Sequence, residues 1–321
     1  MQYGELKLNG IYRYKNNQPV NWFNRSQTKS NQYCLYCGRF VGDGADVSSN
    51  KEHLIGREFV PTGEFGSGKL FNFIFRACEE CNCAKSNVER HISSITLFNS
   101  PARRSLQVYN DLALRKAKKD YHPTKQGTLV EDSCDEFNIT TQFGSANISF
   151  GFSSPPQAYL KYIEFLAFKH IQGIFSLITS KNPLTADGTT LLNHKYFFFF
   201  SAYGYSDWGN PHLLVIMERA HKIPCYANIT TANGFFKAIM RREKGDLGEW
   251  FWALEWNKYI RIVGAIAQSD KTPALFDGLP SLDWKDFGIQ DGARTRIREE
   301  LPLDSEQDIL FFGEVENTQS A

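Results

Sequence analysis

The strongest periodic signal runs from residue 159 to 178, YLKYIEFLAFKHIQGIFSLI, where apolar side chains return every three to four residues and predict an amphipathic helix. A second helical pattern, AKSNVERHISSITLF, puts Val88, Ile92, Ile95 and Phe98 on one face. Elsewhere a period of two prevails. Between residues 123 and about 155, TLVEDSC, EFNITTQF and SANISFGF alternate polar and apolar positions around Gly144, which suits short antiparallel strands with a turn. Strand-like runs KYFFFFSAYGY, HLLVIME, CYANITT and YIRIVGAIA follow the long helix, separated by the turn-forming DWGNP and KGDLG. The first third has only short apolar runs, among them GKLFNFIFRAC, which reads as a strand running into Cys78. The pattern predicts an α+β protein with a mainly antiparallel sheet. It divides into a first domain over 1–122 and a second α+β domain of unknown role over 123–321, with no repeat or low-complexity segment.

Composition narrows the class. At 321 residues and 42% hydrophobic, the chain can bury a sizeable core. The opening residues lack an apolar core behind a basic start, and the most apolar stretch is broken by Lys161, Glu164, Lys169 and His170. A cytoplasmic protein with no membrane partner is therefore expected. A net charge of +1 does not announce a nucleic-acid partner, but its distribution is uneven. From Lys85 to Lys125 nine basic side chains face three acidic ones, and the tail from Glu299 is acidic. Such a basic run is usually a solvated helix face, and it gains meaning only beside a nucleic-acid site. Beside one, Lys85, Arg103, Arg104, Arg115, Lys116, Lys118 and Lys119 become the candidate phosphate contacts.

Seven cysteines is an odd number, and four of them form two Cys-x-x-Cys pairs, Cys34 with Cys37 and Cys78 with Cys81. In a reducing compartment such pairs are metal ligands more often than disulfides. Two of these turns complete the tetrahedral four-sulfur shell of structural zinc, and a redox pair would not need a second copy. Cys83, Cys134 and Cys225 read as ordinary small residues, with Cys83 near enough to be an alternative ligand. Between the pairs, KEHLIGREFVP sets Glu52 beside His53. A hairpin followed by a helix is implied, with Asn82 in the first helical turn, where the positive helix end favours an anion.

Taken in order, these residues resemble the HNH, or ββα-metal, endonucleases of the four-cysteine zinc type. The resemblance rests on Cys34, Cys37, Glu52-His53, Asn72, Cys78, Cys81, Asn82 and Lys85, and covers residues 31 to 95. It implies a zinc-stabilised, treble-clef-like ββα module. It also implies that His53 is the general base, that Glu52 and Asn82 hold one divalent ion such as Mg²⁺, and that Asn72 orients the histidine ring. The residue types suit those roles: imidazole titrates near neutrality, hard oxygens suit Mg²⁺, and soft thiolates select zinc. The chain departs from the family pattern at Gly56, where proline is common, at Glu52, where aspartate is common, and in the six-residue step from Asn72 to Cys78, where five is commoner. His91 reads as a polar residue on an exposed helix face, with a ligand or phosphate contact as the alternative. His122, His170, His194, His212 and His221 occur singly and read as structural. The aromatic run at 196–200 reads as a buried strand rather than a base-stacking surface. The expectation is a metal-dependent phosphodiesterase acting on DNA, with RNA as the other substrate. The rival is a zinc-stabilised nucleic-acid-binding or interaction module without catalysis.

Overall fold

The structure is a computed structural model that describes residues 20–23, 31–66, 70–180, 190–244, 249–267, 272–290 and 293–313. Strands β1 (Val20–Asn21), β2 (Ser49–His53) and β3 (Phe73–Cys78) form a sheet in the order β1-β3-β2. β3 runs antiparallel to β2 and parallel to β1. Helix α1 (Glu79–Asn99) starts directly from β3, with Cys78 in extended conformation as its N-cap. Glu79 and Glu80 occupy its first turn, where their charges complement the helix dipole. Val88, Ile92 and Ile95 are buried, as the periodicity requires. Pro101 follows the end of α1, and α2 (Gln107–Ala117) packs back against it.

The alternating stretch becomes a hairpin, β4 (Asp135–Phe143) and β5 (Ala146–Ser154), turned at Gly144 with φ +62°. TLVEDSC lies outside it and forms a short 3₁₀ turn at Val130–Asp132. Helix α3 (Leu160–Thr179) matches the strongest periodic signal. A five-stranded antiparallel sheet follows, ordered β6-β10-β9-β8-β7. Its strands are β6 (Phe197–Gly204), β7 (Cys225–Thr231), β8 (Phe236–Arg242), β9 (Trp250–Trp256) and β10 (Ile260–Ile266). The aromatic run thus lies in a half-buried edge strand. A last hairpin, β11 (Lys285–Gln290) with β12 (Ala293–Ile297), stands apart from this sheet.

HLLVIME, expected as a strand, is the body of helix α4 (Pro211–His221). Asn210 accepts a hydrogen bond from the His212 amide, and Pro211 takes the first helical position, where its missing N–H costs nothing. Leu213, Ile216, Met217 and Ala220 are buried at helical spacing. A short apolar run carries too few turns to separate the two periods, and DWGNP was a helix start as well as a turn.

The large sheet is covered on both faces. Trp250, Trp252, Leu254 and Trp256 pack with Ile171, Ile174 and Phe175 of α3, and this cluster continues through Phe59 to Phe73, Phe75 and Ile92. It therefore spans residues on both sides of position 122. Phe251, Ala253 and Val263 pack on the other face with Leu213 and Ile216 of α4. Polar bridges reinforce the join: the Asn257 amide donates to Phe59 O and Thr96 Oγ1, and the Thr231 hydroxyl donates to Phe71 O. No helix among the described residues is long and apolar enough to cross a membrane.

The sheet's tightest point is Gly264, beside a register shift in β10. A Cβ there would lie 2.1 Å from the Phe198 carbonyl oxygen and 2.2 Å from the Trp252 ring. Gly264→Ala should lower stability by about 1–3 kcal/mol, the usual cost of overpacking, seen as a lower urea midpoint. An unchanged midpoint would mean that β6 and β9 approach less closely than described.

Candidate metal centre and the adjoining face of the hairpin

The four cysteines converge from two local structures. Tyr33 and Phe40 bridge across a tight turn in which Cys34 N–H donates to Arg39 O and Gly38 N–H donates to Cys34 O, each at 2.8 Å. Gly38 has φ +71°, a conformation that glycine adopts without strain. This turn presents Cys34 and Cys37, while the end of β3 and the first turn of α1 present Cys78 and Cys81. All four Sγ atoms lie within 4.8 Å of one another, with Cys37 and Cys78 3.6 Å apart. A tetrahedral zinc with Zn–S of about 2.3 Å requires sulfurs roughly 3.8 Å apart. Cys83 is exposed and lies outside the group.

The thiols restrain one another's ionisation. A hydrogen bond with Cys81 holds Cys34 down at about 5, the same bond pushes Cys81 up, and burial pushes Cys78 up to about 11. Four sulfurs in this space can share negative charge fully only around a cation. The donor set is soft, closed and of the right size, so the group fits a structural metal ion such as zinc. Lys169 of α3 lies 4.9 Å above the Tyr36 ring, and its charge favours the Cys81 thiolate.

One helical turn beyond Cys81, Lys85 enters the protein interior. Its ammonium lies 2.8 Å from both Glu52 Oε1 and Glu89 Oε1, and donates to His53 O at 3.1 Å. The side chain is 1% exposed, so this residue, expected among the phosphate contacts, faces two carboxylates instead of solvent. Tyr36 donates its hydroxyl to Glu52 Oε1 at 3.0 Å, and His170 Nε2 lies 3.5 Å from Glu89 Oε1. Burial pushes the Glu52 carboxyl upward against the pull of Lys85. Burial opposes the Glu89 charge too, but Lys85 and His170 outweigh it and leave Glu89 below the usual range. The two glutamates likewise outweigh burial at Lys85 and raise it. Gly56 belongs to the same network. Its N–H, which proline lacks, donates to Glu89 Oε1 at 2.9 Å, and a Cβ there would meet Glu89 Oε2 at 2.5 Å.

The remaining site residues take up distinct places around β2. Strand alternation turns Asn50 and Glu52 to one side, and both meet α1 there: the Asn82 amide donates to Asn50 Oδ1 and to Lys51 O, and Lys85 meets Glu52. Asn82 and Glu52 thus share a side of the strand but have different partners. Asn72 donates to Ile55 O at 3.0 Å and accepts from Ile55 N–H at 3.3 Å, which fixes the chain two residues beyond His53. His53 is half-buried, and among the described residues nothing hydrogen-bonds to its Nε2. Burial, together with Arg57, Lys51 and Lys85, holds its imidazole at about 4, so it is neutral at pH 7.

Tyr36, Asn50, Glu89 and His170 entered the site without being singled out in the sequence. Glu89 had a signal, its i,i+4 spacing from Lys85. His170 had none, since only the packing of α3 brings it there. His91 is corrected from an exposed position to a buried one: it is 3% exposed, with Nδ1 3.0 Å from Asp120 Oδ2 and its ring edgewise to His122 and Tyr162. Neighbouring elements enclose nearly the whole circumference of α1 there, and one helix's periodicity cannot reveal them.

In the basic segment, Arg104, Arg115, Lys118 and Lys119 are exposed. Lys116 is turned inward, donates to Ser93 Oγ at 2.8 Å and to Glu58 O, and is lowered to about 8 by burial. Arg103 is half-buried and donates to Asn110 Oδ1 at 2.6 Å and Phe98 O at 3.1 Å.

Comparison with protein-family models, curated proteins and solved structures finds no match for this chain.

Two outcomes test this architecture. Protein purified without added zinc should carry close to one zinc per chain by elemental analysis, and Cys78→Ser should lose metal and fold together. Structural zinc contributes on the order of 10 kcal/mol or more to small folds, so a folded protein with far less than one zinc would overturn the assignment. Lys85→Met should cost about 3–5 kcal/mol at pH 7, because it leaves two buried carboxylates without a counter-charge. The deficit should shrink as pH falls and those carboxylates take up protons, which denaturant titrations at pH 7 and pH 5 would detect.

Proposed function

We propose that the protein is a metal-dependent endonuclease of the HNH type that hydrolyses phosphodiester bonds in DNA. The observation that carries this reading is His53: a neutral imidazole at the end of β2, with a shielded, unpartnered Nε2, on the strand against which the cysteine-anchored helix begins. Among the described residues His91 Nε2 and His170 Nδ1 are unpartnered too. What sets His53 apart is its less buried position at the end of β2, next to the strand segment that meets Asn82, where a free ring nitrogen is useful to a base. His53 would take the proton of the attacking water, and the bond from phosphorus to O3′ breaks as the new P–O bond forms. A pKa of about 4 is low for this task. A bound phosphodiester would oppose the field of Arg57 and Lys51 and raise it toward neutrality.

Hard oxygens for an ion such as Mg²⁺ would come from Asn82 and Glu52. Such an ion would supply charge stabilisation at the phosphate and at the departing O3′. Asn82 is within reach of solvent, whereas Glu52 is engaged by Lys85 and Tyr36, so the ion would have to compete with an ammonium. That engagement favours a second reading, a zinc-stabilised nucleic-acid-binding module without catalysis. Asn72 would act through the backbone at Ile55, holding the segment that follows His53 in place. Arg104, Arg115, Lys118 and Lys119 would hold phosphates without reading sequence. Reduced thiols at the metal centre agree with a cytoplasmic setting.

His53→Ala separates the two readings. For a nuclease it should remove about 10² to 10⁴ of the metal-dependent cleavage rate while zinc content, melting and DNA affinity stay near wild type. Asn82→Ala should also lose cleavage, with part restored by excess Mg²⁺ or Mn²⁺. Wild-type protein that cuts no duplex, single-stranded or branched DNA or RNA in the presence of metal leaves the binding module standing. Full activity in His53→Ala rejects the base.

Neutralising Arg104, Arg115, Lys118 and Lys119 should weaken binding to unrelated sequences alike, each lost contact lowering the log–log salt slope by about 0.9. An unchanged slope would make these side chains a solvated face only.

A further inference from the structure

At the end of α1 opposite the cysteines lies an open cavity of about 690 Å³, within the size range of small-molecule sites. It is walled by the turn at Pro101–Arg104, the start of α2, and the turn at Tyr205–Asp207. Asn82 and Asn99 are separated along α1 by about 25 Å at 1.5 Å per residue, so this is a different place from the metal centre.

The lining has a definite chemistry. Among the described residues two arginines and no carboxylate line the cavity, with Glu300 close enough to act on Tyr259 of its wall. Arg103 is held in place by Asn110 Oδ1 on Nε and Phe98 O on Nη1, with its guanidinium 4.4 Å over the Phe98 ring. Among the described residues nothing accepts from its Nη2, which can donate from a group that is already ordered. Arg104, next to it, is exposed. Across the cavity Tyr205 is 47% exposed, and Trp208 meets its ring nearly edge-on at 5.0 Å, which steadies the ring and leaves a face open. One fixed guanidinium with an exposed one beside it, in a cavity that also presents an open aromatic face, suits a ligand with an anionic end and a flat π-system. Inorganic phosphate would leave the ring unused, and an apolar ligand would leave the arginines unpaired.

We propose that this cavity binds a nucleoside phosphate, with the base stacked on Tyr205 and the phosphate held by Arg103 and Arg104. The same chemistry is offered by a free nucleotide and by an unpaired nucleotide within a strand. The proposal rests on the cavity's lining and does not depend on His53 acting as a base.

The test is calorimetric titration of the full-length, zinc-loaded protein, without added divalent ion. The probes are the four common nucleoside monophosphates, inorganic phosphate, an eight-nucleotide single-stranded DNA and a duplex of the same sequence. At least one monophosphate or the single strand should bind more tightly than inorganic phosphate. Tyr205→Ala should weaken that binding roughly 5- to 150-fold, the span of a lost base stack, while Tyr205→Phe retains it. Arg104→Ala should weaken it at least tenfold and melt like wild type because its side chain is exposed. Thermal melting of Tyr205→Ala beside Tyr205→Phe, which keeps the contact with Trp208, separates loss of stacking from loss of fold. Binding of a monophosphate identifies a free-nucleotide site, and binding of the single strand alone identifies an unpaired-nucleotide site. The proposal is overturned if no probe binds, if inorganic phosphate binds as well as the nucleotides, or if neither alanine variant weakens binding. Cleavage is not read, so a null result here leaves the nuclease reading intact, and loss of that reading leaves this one intact.

Discussion

The Lys85 ammonium, buried among Glu52, Glu89 and the His53 carbonyl, is the constraint around which the amino-terminal half is arranged. A lysine taken wholly out of water must recover its lost hydration from fixed oxygens, and these three come from β2, from α1 itself and from the strand end at His53. Meeting them fixes how far α1 lies from β2 and in what register. The second carboxylate then needs further donors. Glu89 finds them in the Gly56 N–H and in the neighbourhood of His170 on α3, which extends the requirement to the following loop and to a helix some eighty residues away.

The cysteine cluster and this network divide one task. A metal ion held by the four sulfurs would join the turn at Cys34 and Cys37 to the start of α1, and alone would leave α1 free to swing about its first turn. Lys85, one turn further on, removes that freedom. Tyr36 couples the two, since it lies within the first Cys-x-x-Cys turn yet hydrogen-bonds to Glu52. Loss of the metal should therefore reach Glu52 and His53 through Tyr36 and α1 together, although neither residue is a sulfur ligand.

What the sequence revealed depended on whether its signal was local. The α3 helix was legible because twenty residues repeat one period, and the metal ligands because each Cys-x-x-Cys turn is complete within four residues. The start of α1 at Cys78 and the turn at Gly144 were legible for the same reason. α4 is not legible because seven apolar-rich residues fit either period, and Asn210–Pro211 serves equally well as a turn and as a helix start. Burial of Lys85 and His91 could not be read, because what covers them comes from the segment after α2, from α3 and from β2, and periodicity of one helix is silent about its neighbours. The partner of Glu52 was hidden for a related reason: spacing sets a carboxylate beside a histidine, but the pleat directs them to opposite sides of β2.

That divergence shapes the chemistry available at His53. Its carbonyl is committed to Lys85, its backbone to β3, and the chain after it to Asn72, so the imidazole hangs from a segment fixed at three points. Burial first, and then the cations around it, keep the ring neutral, and the same cations make the surrounding potential attractive to a phosphate. An approaching anion would offset the part of the suppression that comes from those charges, and the imidazole would become a better proton acceptor to that extent. A histidine held by one bond and open to water would gain less from such an anion, because solvent would screen the field and the ring could turn away. On the proposed nuclease reading, the rigid and partly dry position of His53 would let substrate charge, rather than a dedicated carboxylate partner, tune it.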